Sequence, residues 1–405
     1  MQFSVATASL CCFIGISLGH SWVEMLMRIS PQGFMIGTPG YARGYVPRTD
    51  PGFSDKAVLY QLPAPGTNAV IPQTAPISKF TADQYTADRP MLQAAAGEFI
   101  AMRYQENGHV SLPDNSPNKP LNRGTVYVYG TTQPKADDTL LGIHKVWNTE
   151  GTGGDKRGIL LSTRHYDDGR CHQTNGGPIA TDRAAKYSKT ADTLQGTDLW
   201  CQTDVQLPSN LAVGSTYTLY WVWDWPTLDP TEINIAKTGN GNYPTQGDSV
   251  TIPEVYLSTA DIKIVSASSL NARGDVQFMA SASPSNSPDS IGNAAIPDQL
   301  NNLFQVTVSS SDENQDEDED EDEDEDDNDN DNDNDNDNDN KPSKSVAVPS
   351  TAAPSSTKAQ NTTPTPKPRR KKIVTVTAAP VYVTETVTIA LYTKSMATVI
   401  QRSPF

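Results

Sequence analysis

The chain has 405 residues, a formal net charge of -17 and 20% charged residues. The charge is uneven: residues 312–340 hold 20 acids and no base, residues 341–405 hold 10 bases and one acid, and residues 1–311 hold 21 bases against 27 acids. The part able to fold is therefore only mildly acidic, which gives nucleic-acid binding no basic-face argument, and no apolar run reaches the roughly 18 residues of a membrane span.

Taken from the start, residues 1–19 read as a secretory signal peptide. An apolar stretch runs from Ala6 to Leu18, with small residues Ser17 and Gly19 placed as a cleavage signal requires, although the segment before it lacks Lys and Arg. Cleavage after Gly19 makes His20 the first residue of a secreted mature chain. A terminal histidine offers both its free α-amine and its imidazole to a metal. With Cys11 and Cys12 removed, only Cys171 and Cys201 remain, and in an extracellular chain an even pair predicts one disulfide.

From Ser21 to about Val265, short runs rich in Val, Ile, Tyr and Trp alternate with long Gly- and Pro-rich connections, and no long segment has a helical period. Phe99 to Tyr104, Thr125 to Tyr129, Tyr217 to Trp225 and Val255 to Val265 are the representative strands. The fold expected is all-β, an immunoglobulin- or fibronectin III-like sandwich with long loops, followed by a disordered tail. Trp221, Trp223 and Trp225 fall on alternate positions of one strand and are expected to build the core. The expected organisation is a signal peptide over 1–19, the sandwich domain over 20–265, a domain-edge extension over 266–311, an acidic low-complexity run over 312–340 and a Ser/Thr/Pro/Lys-rich tail over 341–405. In the extension, Ala295 to Val308 regains apolar content and can pack back on the domain. The acidic run repels itself and has nothing to bury, so it is expected to stay solvated and to bind cations only diffusely. The tail carries the only N-glycosylation sequon, at Asn361.

A histidine brace needs three nitrogens: the amine and imidazole of a terminal histidine and the imidazole of a second. Such a planar nitrogen set suits divalent copper. His109, at the end of an apolar strand and just before Pro113, is the favoured partner for His20. His144, His165 and His172 lie in polar sequence and are expected to be solvated. The last two belong to the segment from Arg164 to His172, read as a polar loop pinned by the disulfide.

The start His20-Ser21-Trp22-Val23, the GHVSLP segment around His109, the YTLYWVWDW strand and the closing PEVYLSTADIKIV segment together resemble lytic polysaccharide monooxygenases. The likeness is strongest to an uncharacterised group of fungal secreted proteins that open on HSWVE and continue with a PGYARGYVPRTDPGFSD-like loop, and it covers roughly residues 20–265. It implies copper held by His20 and His109, with Tyr256, ahead of Asp261-Ile262, as the axial neighbour; these three would be both the metal site and the catalytic centre. It further implies oxidative attack on a cell-wall polysaccharide such as chitin, cellulose or another glucan, by a monomeric, extracellular or wall-located protein. Tyr41 and Tyr45, in the loop after His20, are candidates for stacking on a polymer chain. Arg103, Gln105 and Glu106, beside His109, are candidates to tune the metal and equally ordinary surface residues. The last strand lacks a cysteine that many relatives carry beside its Asp, and no carbohydrate-binding module follows the domain. The residues also allow a non-catalytic copper-binding or cell-wall/matrix interaction protein, and a metal-free adhesion sandwich whose acidic tail is the working part.

Overall fold

A computed structural model describes residues 20–67, 70–192, 194–271 and 291–307. The expected signal peptide, acidic run and tail with Asn361 lie outside the described residues. The all-β expectation holds: antiparallel pairing dominates, in one four-stranded and one six-stranded sheet with a separate two-stranded ribbon.

In chain order the strands are β1 (Val23–Ile29), β2 (Met35–Gly40), β3 (Gln61–Leu62), β4 (Leu92–Ala94), β5 (Phe99–Tyr104), β6 (Thr125–Thr131), β7 (Gly158–His165), β8 (Cys201–Gln206), β9 (Thr216–Asp224), β10 (Thr227–Leu228), β11 (Val250–Ile252) and β12 (Val255–Ile264). The smaller sheet runs β2-β1-β5-β8 and the larger runs β3-β12-β9-β6-β7, with β4 added parallel to β12. The four representative strands read from the sequence are β5, β6, β9 and β12.

The two sheets face each other across one core. Val23, Leu26, Ile100, Met102 and Tyr104 from the smaller sheet meet Val126, Leu219, Trp221, Trp223 and Ile262 from the larger. This is face-to-face packing of two sheets over a shared core. Here the outer faces are covered too. Tyr127, Tyr129, Tyr220 and Val222 lie under Ile71, Ile77, Leu140, Ile143 and Trp147 on the far side of the larger sheet. Met25, Met27, Ile29 and Ala101 pack with Trp200 and Ala295 on the far side of the smaller one. Burial on both faces explains why β1 (VEMLMRI) and β9 (TYTLYWVWD) are apolar almost throughout and lack the clean alternation of a half-exposed strand.

Residues 291–307 lie on the sandwich. Asp204 on β8 accepts from the Ile296 main-chain N–H at 2.7 Å, and Gln299 Oε1 accepts from the Asp204 N–H at 2.6 Å. Burial pushes the Asp204 carboxyl up to about 6, against the lowering pull of its hydrogen bonds from Ile296 and Gln202. A helix from Pro178 to Lys186, not anticipated from the sequence, also belongs to the fold. Only one of its residues, Ala180, is buried, so it has no apolar stripe to announce it. Its Arg183 pairs with Asp167 at 2.7 and 2.9 Å, holding the loop that carries Cys171.

Cys171 and Cys201 form the expected disulfide, with a sequence separation of 30 residues. Replacing both cysteines with serine should lower stability by about 3 to 4 kcal/mol, the chain-entropy value for such a loop, as read from urea unfolding. Asp204 gives a pH-dependent expectation. A carboxyl whose folded value is raised contributes stability below its unfolded value near 3.8 that is lost as pH rises through about 6. Relative to Asp204→Asn, the wild type should therefore lose unfolding free energy between pH ~4 and ~6. Parallel curves for the two proteins would contradict this.

Candidate metal centre

Residues Gln105 to Leu112 turn away from the end of β5 and carry His109. The turn needs left-handed backbone at Asn107 and Gly108, with φ of 47° and 83°, which asparagine and glycine adopt at low cost. The buried Glu106 carboxylate holds it closed, accepting from the main-chain N–H of Val110 at 2.7 Å, of Gln173 at 2.8 Å and of Ser111 at 3.3 Å, and from the Ser111 hydroxyl. Glu106 is thus an internal brace of the loop. Arg103 is also buried, donating to the Gly292 carbonyl at 2.9 Å, with its guanidinium over Trp200. Of the three polar candidates beside His109, only Gln105 keeps partial exposure.

His109 is 5% exposed and sits among aromatic rings. Trp225 and Trp223 meet it nearly edge-on with centroids 4.5 and 5.0 Å away, and Tyr166 and Tyr256 stand at 6.3 Å each. Trp223 stacks between Tyr166, at 3.7 Å, and Tyr256, at 4.7 Å. The three tryptophans are buried as expected, and Trp223 and Trp225 also pack against the His109 ring. The Tyr256 hydroxyl donates to Glu254, and burial first, then the Glu254 carboxylate, push its ionisation well up, so the phenol stays protonated. Lys119 closes this corner with its ammonium 3.8 Å over the Trp225 ring and a salt bridge to Glu254. Glu254 was not singled out from the sequence; its place two residues before Tyr256, on the same side of an extended chain, was the available signal.

The segment bearing His20 runs alongside the same turn. The Asn107 side-chain amide donates to the His20 carbonyl, and Ser21 and Tyr166 hydroxyls both donate to the Gln105 carbonyl, at 3.0 and 3.1 Å. The His20 imidazole donates through Nδ1 to Asp55 Oδ2 at 2.9 Å. Thus the His20 main chain is joined to the His109 turn, Tyr256 borders His109, and the His20 ring is held by Asp55.

The long loop after β2 supplies Asp55 and much else. Arg43 makes a bidentate pair with Asp261 on β12, both distances 2.7 Å, and Asp261 also accepts from Thr218 at 2.6 Å and Tyr85 at 3.1 Å. Arg48 donates to buried Glu24 at 2.7 Å and lies 4.2 Å over the Trp22 ring, with Phe53 against the same indole. Tyr41 and Tyr45 stack on each other at 5.1 Å; both are half-buried. Burial and neighbouring Glu24 push the Tyr45 phenol well up.

The remaining histidines correct the sequence expectation. His144 is buried, with Nε2 3.2 Å from Asp224, Nδ1 3.2 Å from the Tyr129 hydroxyl, and its ionisation pushed down by burial. His172 is buried through main-chain pairing with Leu199, and His165 ends β7 half-buried beside Gln305. Asp168, Cys171 and Cys201 also converge within 4.8 Å, but both sulfurs are in the disulfide, so no thiolate is available there.

A family model described as a domain of unknown function (DUF7492) matches residues 17–290, more than half of the chain. The chain belongs to that family. No curated protein matches it. Among solved structures, this DUF7492 protein is similar to CvAA9A, at 14% identity and TM-score 0.27 over 60% of this chain and 78% of that one. It is also similar to a cellulose-active polysaccharide monooxygenase from M. thermophila, at 16% identity and TM-score 0.26 over 69% and 85%. Among the described residues, no helix is long and apolar enough to cross a membrane.

Asp261→Ala leaves the Arg43 guanidinium buried without its carboxylate. It should destabilise the DUF7492 domain by about 3 to 5 kcal/mol in chemical unfolding; a change under about 1 kcal/mol would show that the pair does not anchor the loop.

Proposed function

We propose that the chain, once cut between Gly19 and His20, is a secreted copper protein of the histidine-brace type that oxidatively cleaves cell-wall polysaccharide. The observation that carries this reading is the tie between the His20 main chain and the His109 turn through Asn107, with Tyr256 beside His109. The donor set fits copper in kind: two imidazoles on adjoining segments, a terminal amine created by cleavage, and a protonated tyrosine nearby. His20 and His109 would hold the metal. Bound copper supplies one-electron chemistry with an oxygen co-substrate and a reductant, enough to oxidise a C–H bond beside a glycosidic linkage.

The protein's own residues do the rest. Glu106 and Asn107 fix the His109 turn and the His20 main chain. Trp223, Trp225 and Tyr166 pack against the His109 ring and leave it little exposed to water. Glu254 accepts the Tyr256 proton in a hydrogen bond and so fixes the phenol. Tyr41 and Tyr45 are the proposed polymer-stacking residues. A non-catalytic copper-binding wall protein is the second reading, favoured by the half-buried setting of those two tyrosines, which leaves less aromatic face for a polymer.

Mature protein incubated with chitin, cellulose or other glucans, copper, a reductant and peroxide should release oxidised oligosaccharides, and His109→Ala should lower the yield at least about 100-fold, as expected for loss of a ligand rather than of its support. Tight copper binding without products from any polymer would select the non-catalytic reading.

A further inference from the structure

We infer that Asp55 is an additional ligand of the metal held at His20, contributing a carboxylate oxygen to the nitrogen set; the inference rests on the copper reading above. A terminal histidine chelates through its α-amine and Nδ1, because those two nitrogens close a six-membered ring with a metal while Nε2 faces away from the main chain. In this chain Nδ1 is the nitrogen that Asp55 holds, at 2.9 Å from Oδ2. On metal binding His20 Nδ1 would lose its proton to solvent, and the Asp55 carboxylate, a good donor to a divalent cation, would remain beside it.

The carboxylate is placed by more than its own bond to the imidazole. Asp55 opens the one-turn helix Asp55–Val58, and the Leu59 N–H returns to its carbonyl at 2.7 Å. The Lys79 ammonium ties down the end of that turn, donating to the carbonyls of Lys56 at 2.8 Å and of Ala57 and Leu59 at 3.0 Å each. On the other side, Phe53 and Arg48 grip Trp22, two residues from His20. Both partners of the His20–Asp55 pair are therefore mounted on fixed main chain. The Asp55 side chain stays 43% exposed, which leaves the metal a way in.

The test uses the full mature chain, verified by mass to begin at His20, in wild-type, Asp55→Asn, Asp55→Glu and His109→Ala forms. Each is titrated with copper(II) by calorimetry and examined by electron paramagnetic resonance; metal-free melting curves establish that all are folded. Asparagine keeps an acceptor for Nδ1 but loses the anionic donor. The expected result is an affinity about tenfold or more weaker in Asp55→Asn, with altered copper hyperfine values and intact nitrogen couplings, and substantial recovery in Asp55→Glu. Unchanged affinity and spectrum in Asp55→Asn, with His109→Ala impaired, would overturn the Asp55 assignment alone. Equal weakening in the Asn and Glu forms with a wild-type spectrum would also overturn it, making Asp55 a positioning residue. A wild type that binds no copper would overturn the histidine-brace reading and this assignment with it.

Discussion

The buried pair between Arg43 and Asp261 is the constraint on which the candidate site most depends. The loop that follows β2 is long and poor in regular structure, and its course is fixed where a guanidinium on the loop meets a carboxylate on β12 in a dry setting. Such a pair adds little to net stability, because desolvation offsets most of its attraction, but leaving either charge alone is costly. It therefore acts as a register mark. With Arg43 fixed, the chain beyond it brings Arg48 to Glu24 and Trp22, and Asp55 to His20. Arg48 and Asp55, two charged residues of one loop, thus hold Glu24, Trp22 and His20.

The second requirement is a rigid end to the sandwich. Burial of β9 on both faces fixes Trp221 and Trp223 in the core between the sheets and leaves Trp225 just past the strand end. Tyr166, Trp223 and Tyr256 then stack as one column, with His109 against its edge. Aromatic pairs of this kind contribute about 0.5 to 1.5 kcal/mol each beyond their buried area. More usefully for the metal role proposed for His109, they leave the imidazole few orientations. Glu106 does the same for the main chain, through bonds that reach from the His109 turn to Gln173, two residues past Cys171. Disulfide, turn and aromatic column are in this way one connected unit.

Much of this was legible in the sequence because it rests on local signals. Strands β5, β6, β9 and β12 carry the β-branched and aromatic content that packs on a pleated surface, and two cysteines outside the expected signal peptide leave only one pairing. Other parts were hidden for physical reasons. The burial of His144 and His172 depends on loops folding over the outer faces of both sheets, which polar flanking sequence does not announce. The helix at Pro178–Lys186 has almost no apolar face and is held by Arg183 and Asp167. Glu106 read equally as a residue tuning the metal or as an ordinary surface residue, because its partners, main-chain N–H groups and the Ser111 hydroxyl, meet it only in the fold. Asp55 was invisible as a candidate, since only the folded loop brings it to a residue 35 positions earlier.

The central claim is that the amine freed at His20 and the imidazole of His109 share one copper ion. It is tested most directly by comparing copper(II) spectra of the chain beginning at His20 with those of the same chain retaining Gly19. The expected result is a three-nitrogen coupling pattern and tight stoichiometric binding only when His20 is terminal, with both lost when Gly19 blocks the amine. Identical binding and spectra for the two chains would contradict the account.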